Sequence, residues 1–232
     1  MAPARVADPK EAGLLMLERS EMRQIFPTPL WIVDLKAEAA RALNGRLMAE
    51  IGKLATPRPA VPKGANWQTD PVIHKLPQFA EFVSLVETAA RGALRSLRLE
   101  KYSMFVTGCW ANINPPGGIN SSHTHPNNFL SGVYYVSIPQ GADRIEFLDP
   151  RPQASVLMPQ PEEFNVLNGN SMTIEVKDGR LVLFPGWLVH QVPVNASSEE
   201  RVSIAFNLMF HQFGETASAP LWKGRIPIKL PE

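Results

Sequence analysis

The chain has 232 residues, 44% of them hydrophobic, and its 22 prolines exceed an average usage of about 5%, so it is long enough for one large domain with a sizeable core built from short, often interrupted elements. Twenty-three basic and 22 acidic residues leave a net charge of +1, and without a Lys/Arg run no nucleic-acid role is expected. A single cysteine, Cys109 in an apolar stretch, excludes an intramolecular disulfide and a thiolate metal cluster and reads as a small buried hydrophobe.

No stretch approaches the roughly 18 consecutive apolar residues of a membrane span, and the N-terminus lacks a secretory apolar run, so cytoplasmic residence is the expectation. Residues 1–24 read as an extension in which Glu11 to Met22 can form a short helix, and residues 25–232 as one domain. That domain divides into a helical flank (25–100), a β-barrel core (101–212) and a tail (213–232). Phe26-Pro-Thr-Pro-Leu-Trp-Ile-Val reads as an extended segment whose two prolines place it at a sheet edge. Asp34 is then a candidate cap for a helix with Leu43, Leu47, Ile51 and Leu54 at helical spacing. After a proline-rich loop, a second helix is predicted from about Gln78 to Leu97, burying Phe79, Phe82, Val83, Val86, Ala90, Ala93 and Leu97. Both stripes read as core.

From Tyr102 onward the period becomes two, predicting strands near 102–113, 130–138, 144–148, 171–176, 180–185 and 201–210 between Gly, Pro and Asn clusters. The fold class is therefore mainly β with flanking helices, as an antiparallel barrel or jelly roll, and repeats are absent. In the last strand Val202, Ile204, Phe206, Leu208 and Phe210 fall on one face, and Arg201, Ser203, Ala205 and Asn207 on the other. The apolar face suits packing on the helices, which turns Arg201 toward the barrel interior. A charge there is costly unless paired. A small carboxylate can pair with it through two hydrogen bonds, with Ser203 adding a hydroxyl; a strand-end position beside solvent or a structural Asp or Glu is the alternative.

His123 and His125, two positions apart in an extended segment, project to one side, and His190 from a later strand can close a face of three ligands while the opposite face stays open. Imidazole suits zinc, copper, iron and nickel alike. His74 and His211 read as ordinary hydrogen-bonded or surface residues.

The motifs His123-Thr-His125, Phe184-Pro-Gly-Trp-Leu-Val-His190 and Arg201-Val-Ser203 resemble those of the Fe(II)- and 2-oxoglutarate-dependent oxygenases. Tyr134-Tyr-Val-Ser resembles a strand of their prolyl-hydroxylase-like members. With Phe26-Pro-Thr-Pro-Leu-Trp, Trp110-Ala-Asn and Phe147-Leu-Asp-Pro-Arg, the chain is similar over about residues 25–212 to a bacterial family of 2OG-Fe(II) oxygenases. The resemblance implies a double-stranded β-helix and a dioxygenase that hydroxylates an unknown substrate, consuming O2 and 2-oxoglutarate and releasing succinate and CO2. It assigns Fe(II) to His123, His125 and His190, and the far carboxylate of 2-oxoglutarate to Arg201, Ser203 and Tyr135. Asn112, with Asn114 and Asn207, is placed on the pocket wall, and Trp110 and Trp187 at its entrance. Residues 141–151 and 159–170 are the loops expected to select the substrate. A homodimer is compatible with the edge strand and the N-terminal extension.

One departure is plain. Where that superfamily carries Asp or Glu, this chain has His125, so the metal face loses a negative charge, and either His125 or Asn127 can complete it. The spacing of Gly117 and of Gly179 ahead of the histidines also resembles cupin motifs, without the expected glutamate. A cupin-type three-His dioxygenase that does not use 2-oxoglutarate is the rival reading, and a non-catalytic metal- or ligand-binding barrel a third. Arg201, Ser203 and Tyr135 separate them: the oxygenase requires all three together.

Overall fold

The computed structural model describes residues 18–58 and 60–216. The chain runs β1 (Trp31–Asp34), α1 (Ala37–Leu54), β2 (Trp67–Gln68), α2 (Ala80–Ser96), β3 (Met104–Asn114), β4 (Asn120–His123), β5 (Leu130–Ser137), β6 (Arg144–Leu148), β7 (Ser171–Glu175), β8 (Arg180–Pro185), β9 (His190–Val192), β10 (Arg201–Phe210) and the short α3 (His211–Thr216). The strands form two antiparallel sheets, ordered β1-β8-β5-β10-β3-β2 and β4-β9-β6-β7. The alternating strands predict an antiparallel barrel or jelly roll and the resemblance a double-stranded β-helix, which these sheets form, and β1, which follows Pro27 and Pro29, stands at a sheet edge as expected.

The helices form because their apolar residues recur every three to four positions. Leu43, Leu47 and Ile51 of α1 and Phe82, Val86, Ala90 and Ala93 of α2 are buried. They pack into one cluster with the outward face of the larger sheet, including Cys109, Ala111, Ile113, Val202, Ile204, Phe206 and Leu208. Each fully buried Leu, Ile or Phe stabilises this layer by about 1.5–3 kcal/mol. Asn44 adds a directional lock: its amide donates to the Val136 carbonyl at 2.7 Å and accepts from the Tyr134 hydroxyl at 2.6 Å, fixing α1 over β5. Gly132 of β5 lies under Phe206, where an added Cβ would stand 2.4 Å from the ring, so close approach requires glycine there.

Three expectations are corrected. Asp34 does not cap α1, whose N-cap is Lys36 without a side-chain bond. Its carboxylate instead takes two bonds from Arg180 and pairs with Lys177 at 3.1 Å, which holds its pKa down at about 2. Leu54 and Leu97, at the helix ends, are exposed rather than buried. As the predicted strand 180–185 implies, β8 ends at Pro185, and His190 opens β9 after a turn. The helix expected over 11–22 lies mostly outside the described residues, and its described part, 18–22, has no helical turn. Most of the tail, 217–232, also lies outside them.

With the helices on one face of the large sheet, its opposite face lines the barrel. The register places Arg201, Ser203, Ala205 and Asn207 of β10 beside Asn114, Asn112, Trp110 and Gly108 of β3. Tyr135, Val133 and Ser131 of β5 flank them on the other side. Across the smaller sheet one rung carries His123, His190, Phe147 and Met172.

Candidate active site

His123 closes β4 and His190 opens β9 as direct cross-strand partners. His125 follows on the turn after β4, its backbone N–H donating to the Gly186 carbonyl at 2.8 Å. Only glycine fits at 186, since a Cβ there would stand 2.4 Å from the Asn128 carbonyl oxygen and 3.1 Å from that of His125. The three rings converge: centroids are 4.4 Å apart for His123 and His190, 4.9 Å for His123 and His125, and 5.1 Å for His125 and His190. One ring nitrogen from each lies within 4.8 Å of the others, a span that small rotations close onto an ion with bonds of about 2.1 Å. Asn127 stands exposed in the turn with φ +63°, and His125 is the residue whose ring joins the cluster.

Backbone acceptors set the imidazole tautomers. The His123 Nδ1 lies 2.6 Å from the Ser121 carbonyl and the His190 Nδ1 2.9 Å from that of Leu188. A carbonyl can only accept, so each Nδ1 carries the proton and each Nε2 keeps its lone pair for a metal. Burial pushes the His190 and His125 pKa values down to about 4, the latter helped by the charge of His123. Both rings are therefore neutral near neutral pH. Phe184 packs 4.6 Å from the His190 ring and Trp110 5.8 Å from the His125 ring, limiting their rotation. Trp187 is half-exposed in the turn before His190. His74 and His211 lie outside the cluster, His211 stacking on Phe105.

Deeper in the barrel Arg201 is 1% exposed. Its Nε donates to the Ala142 carbonyl and its Nη1 to the Ser203 hydroxyl, both at 3.1 Å. Its Nη2 is buried with no partner, and so is the Tyr135 hydroxyl, whose ring centroid lies 5.3 Å from the guanidinium carbon. Burial lowers the Arg201 pKa and raises that of Tyr135 to about 12, so the tyrosine is a donor. Each orphaned donor costs roughly 1–3 kcal/mol, and both are suited to an anion with several acceptor oxygens. No Asp or Glu among the described residues is buried, which removes the structural carboxylate as the partner of Arg201. The donor set thus fits a small carboxylate, and the three imidazoles fit a divalent metal.

Asn112 shares the rung of Ser203 and Tyr135. Its Oδ1 accepts from Gln68 at 2.7 Å and Asn66 at 3.2 Å, leaving its amide N–H groups for the interior. Sequence reasoning missed Asn66 and Gln68, because β2 is only two residues long and shows no periodicity. The polar residues flanking Trp67 were the one available sign. Asn114 donates to Asn120 at 2.8 Å while its Oδ1 is buried without a partner, and Asn207 accepts from Ser131 at 2.7 Å; both are on the inner wall.

Fold and site together define a double-stranded β-helix with a candidate three-histidine metal face and a buried arginine and tyrosine whose Nη2 and hydroxyl lack partners. Residues 108–207, which contain all of these residues except Asn66 and Gln68, match the family described as "Putative 2OG-Fe(II) oxygenase". Solved structures share the fold at low identity. The α-ketoglutarate-dependent epimerase SnoN from nogalamycin biosynthesis is 12% identical, with 87% of this chain and 88% of that one covered at a TM-score of 0.58. A Pseudomonas putida prolyl-4-hydroxylase is 16% identical over 78% and 92%, with a TM-score of 0.51. HygX from Streptomyces hygroscopicus, solved with nickel and 2-oxoglutarate bound, is 12% identical over 78% and 82%, with a TM-score of 0.53. No curated protein matches the chain.

Proposed function

We propose that this protein is an Fe(II)- and 2-oxoglutarate-dependent dioxygenase that inserts one oxygen atom of O2 into a C–H bond of its substrate while 2-oxoglutarate is converted to succinate and CO2. His123, His125 and His190 would hold Fe(II). Arg201, Tyr135 and Ser203 would bind the far carboxylate of 2-oxoglutarate, with Asn112 donating to it from the same rung. The metal with its keto acid supplies the oxidising chemistry when bound. The chain's part is to present three imidazoles on one side, to fix the keto acid at its far end and to keep a neutral, polar wall around both. One observation carries the reading: the unpartnered Nη2 of Arg201 and hydroxyl of Tyr135 are buried together in the barrel that holds the three histidines. A cupin-type site without the keto acid leaves that pair unexplained.

Anaerobic titration of Fe(II)-loaded protein with 2-oxoglutarate tests it. The visible charge-transfer absorption of a chelated keto acid is expected, and its loss in Arg201→Ala with iron retained. Stoichiometric iron without that absorption would return the three-His reading without 2-oxoglutarate.

A further inference from the structure

We propose that His125 makes this site cooperative, so that the divalent metal and the dianionic keto acid each bind weakly alone and strongly together. This rests on the proposed use of 2-oxoglutarate and concerns how the same site is filled. All three candidate ligands are imidazoles. A metal held by them keeps its full double positive charge, where a carboxylate ligand would cancel half of it.

The rest of the barrel does not compensate. Arg201 is 1% exposed, and among the described residues it is the only buried side chain with a permanent charge. Its hydrogen-bond partners, the Ala142 carbonyl and the Ser203 hydroxyl, are neutral. Two acids of the smaller sheet and the loop after it are committed elsewhere: Glu146 accepts from Gln191 at 2.7 Å, and Asp149 pairs with Arg151 at 2.9 Å. Neutral amides and hydroxyls from Asn112, Asn114, Ser131 and Asn207 make up the polar wall. A metal on the three histidines, of which His123 is exposed and His190 buried, and the buried guanidinium therefore belong to one barrel without a buried protein counter-charge, and like charges oppose one another. A ligand with two negative charges neutralises both ends together. Because coupling between two binding events is reciprocal, whatever the keto acid gains from the metal, the metal gains from the keto acid.

The test is calorimetric titration of Co(II) into metal-free protein, with and without saturating 2-oxoglutarate, for wild type and His125→Asp. In wild type 2-oxoglutarate should tighten Co(II) binding at least 30-fold. In His125→Asp metal alone should bind more tightly, and the tightening by 2-oxoglutarate should be at least tenfold smaller. Arg201→Met gives an arm independent of how well His125→Asp folds: Co(II) alone should bind several-fold more tightly, with a tightening by 2-oxoglutarate at least tenfold smaller than in wild type. Equal tightening in wild type and His125→Asp, or Co(II) affinity unmoved in Arg201→Met, would overturn the inference while leaving 2-oxoglutarate as the co-substrate. Absence of any 2-oxoglutarate binding by the Co(II)-loaded wild type would overturn both.

Discussion

Tyr135 and Arg201 stack with the guanidinium carbon 5.3 Å from the ring centroid, and each leaves one polar atom buried and unpartnered. A folded chain retains such a pair at a cost, roughly 1–3 kcal/mol per orphaned group. Removing a buried charge that has no carboxylate partner should therefore relieve the ligand-free protein. Arg201→Met is expected to leave its melting temperature unchanged or higher, while 2-oxoglutarate affinity falls by about 2–5 kcal/mol, at least 30-fold. Thermal melts and calorimetry read the two effects separately. A large loss of stability would mean that Arg201 is a structural residue.

Gly186 ties the metal face to the barrel, since its carbonyl accepts from the His125 N–H and its Cα faces the Asn128 carbonyl too closely for a side chain. In Gly186→Ala the new methyl meets backbone that cannot rotate away. The 125–128 turn must shift, and metal affinity is expected to drop about tenfold, the usual scale for losing support behind a ligand. Gly132→Ala is the control. It crowds Phe206 and Leu183 in the core and should cost about 1–3 kcal/mol of stability with metal affinity retained. Equal metal affinities in wild type and Gly186→Ala would separate the turn from the metal face.

Periodicity made β3, β5, β6, β7, β8 and β10 legible to within a few residues, because each buries one face and the alternation is forced by the sheet. The parity of β10 likewise predicted Val202, Ile204, Phe206 and Leu208 on the helices and Arg201 with Ser203 inside. Short elements were not legible. β4 and β9 have four and three residues, too few for a pattern, yet their pairing sets His123 opposite His190. β2 was missed for the same reason, and with it the two donors on Asn112. Asp34 matched a helix cap by residue type, but two cations brought from β8 and its preceding turn outcompete a capping bond, and only tertiary structure reveals them.

Gln68 bonds to Asn112, the residue proposed for the far carboxylate of 2-oxoglutarate. With its Oδ1 occupied by Gln68 and Asn66, the Asn112 amide turns its N–H groups inward. Gln68→Ala removes the shorter of these bonds and frees the amide to rotate. A net hydrogen bond is worth about 0.5–1.5 kcal/mol, so 2-oxoglutarate affinity should fall a few-fold to tenfold, with metal binding and melting temperature little changed. Calorimetry at fixed metal concentration decides it, and an affinity equal to wild type would leave Gln68 as packing of β2 alone.

Acid sensitivity should follow the histidines. His190, 3% exposed, has its pKa pushed from 6.5 down to about 4 by burial, and His125 moves the same way. Between those values the unfolded chain binds protons that the folded chain refuses, so folding stability is full above pH 6.5 and declines as pH falls toward 4. Asp34 acts in a lower window: its pKa is held at about 2, so its contribution persists above 3.8 and is lost as pH falls through 2. Melting temperatures of the metal-free protein from pH 7.5 to 4.5 should therefore drop in wild type and drop less in His190→Asn, while Asp34→Asn keeps the wild-type slope. A bound ion occupies the lone pairs that protons would take, so metal should raise the melting temperature most above pH 6.5 and progressively less as acid competes for the same nitrogens. A wild-type profile flat from pH 7.5 to 4.5 would mean that these imidazoles are not held neutral by burial, and the preformed face of ligands would go with it.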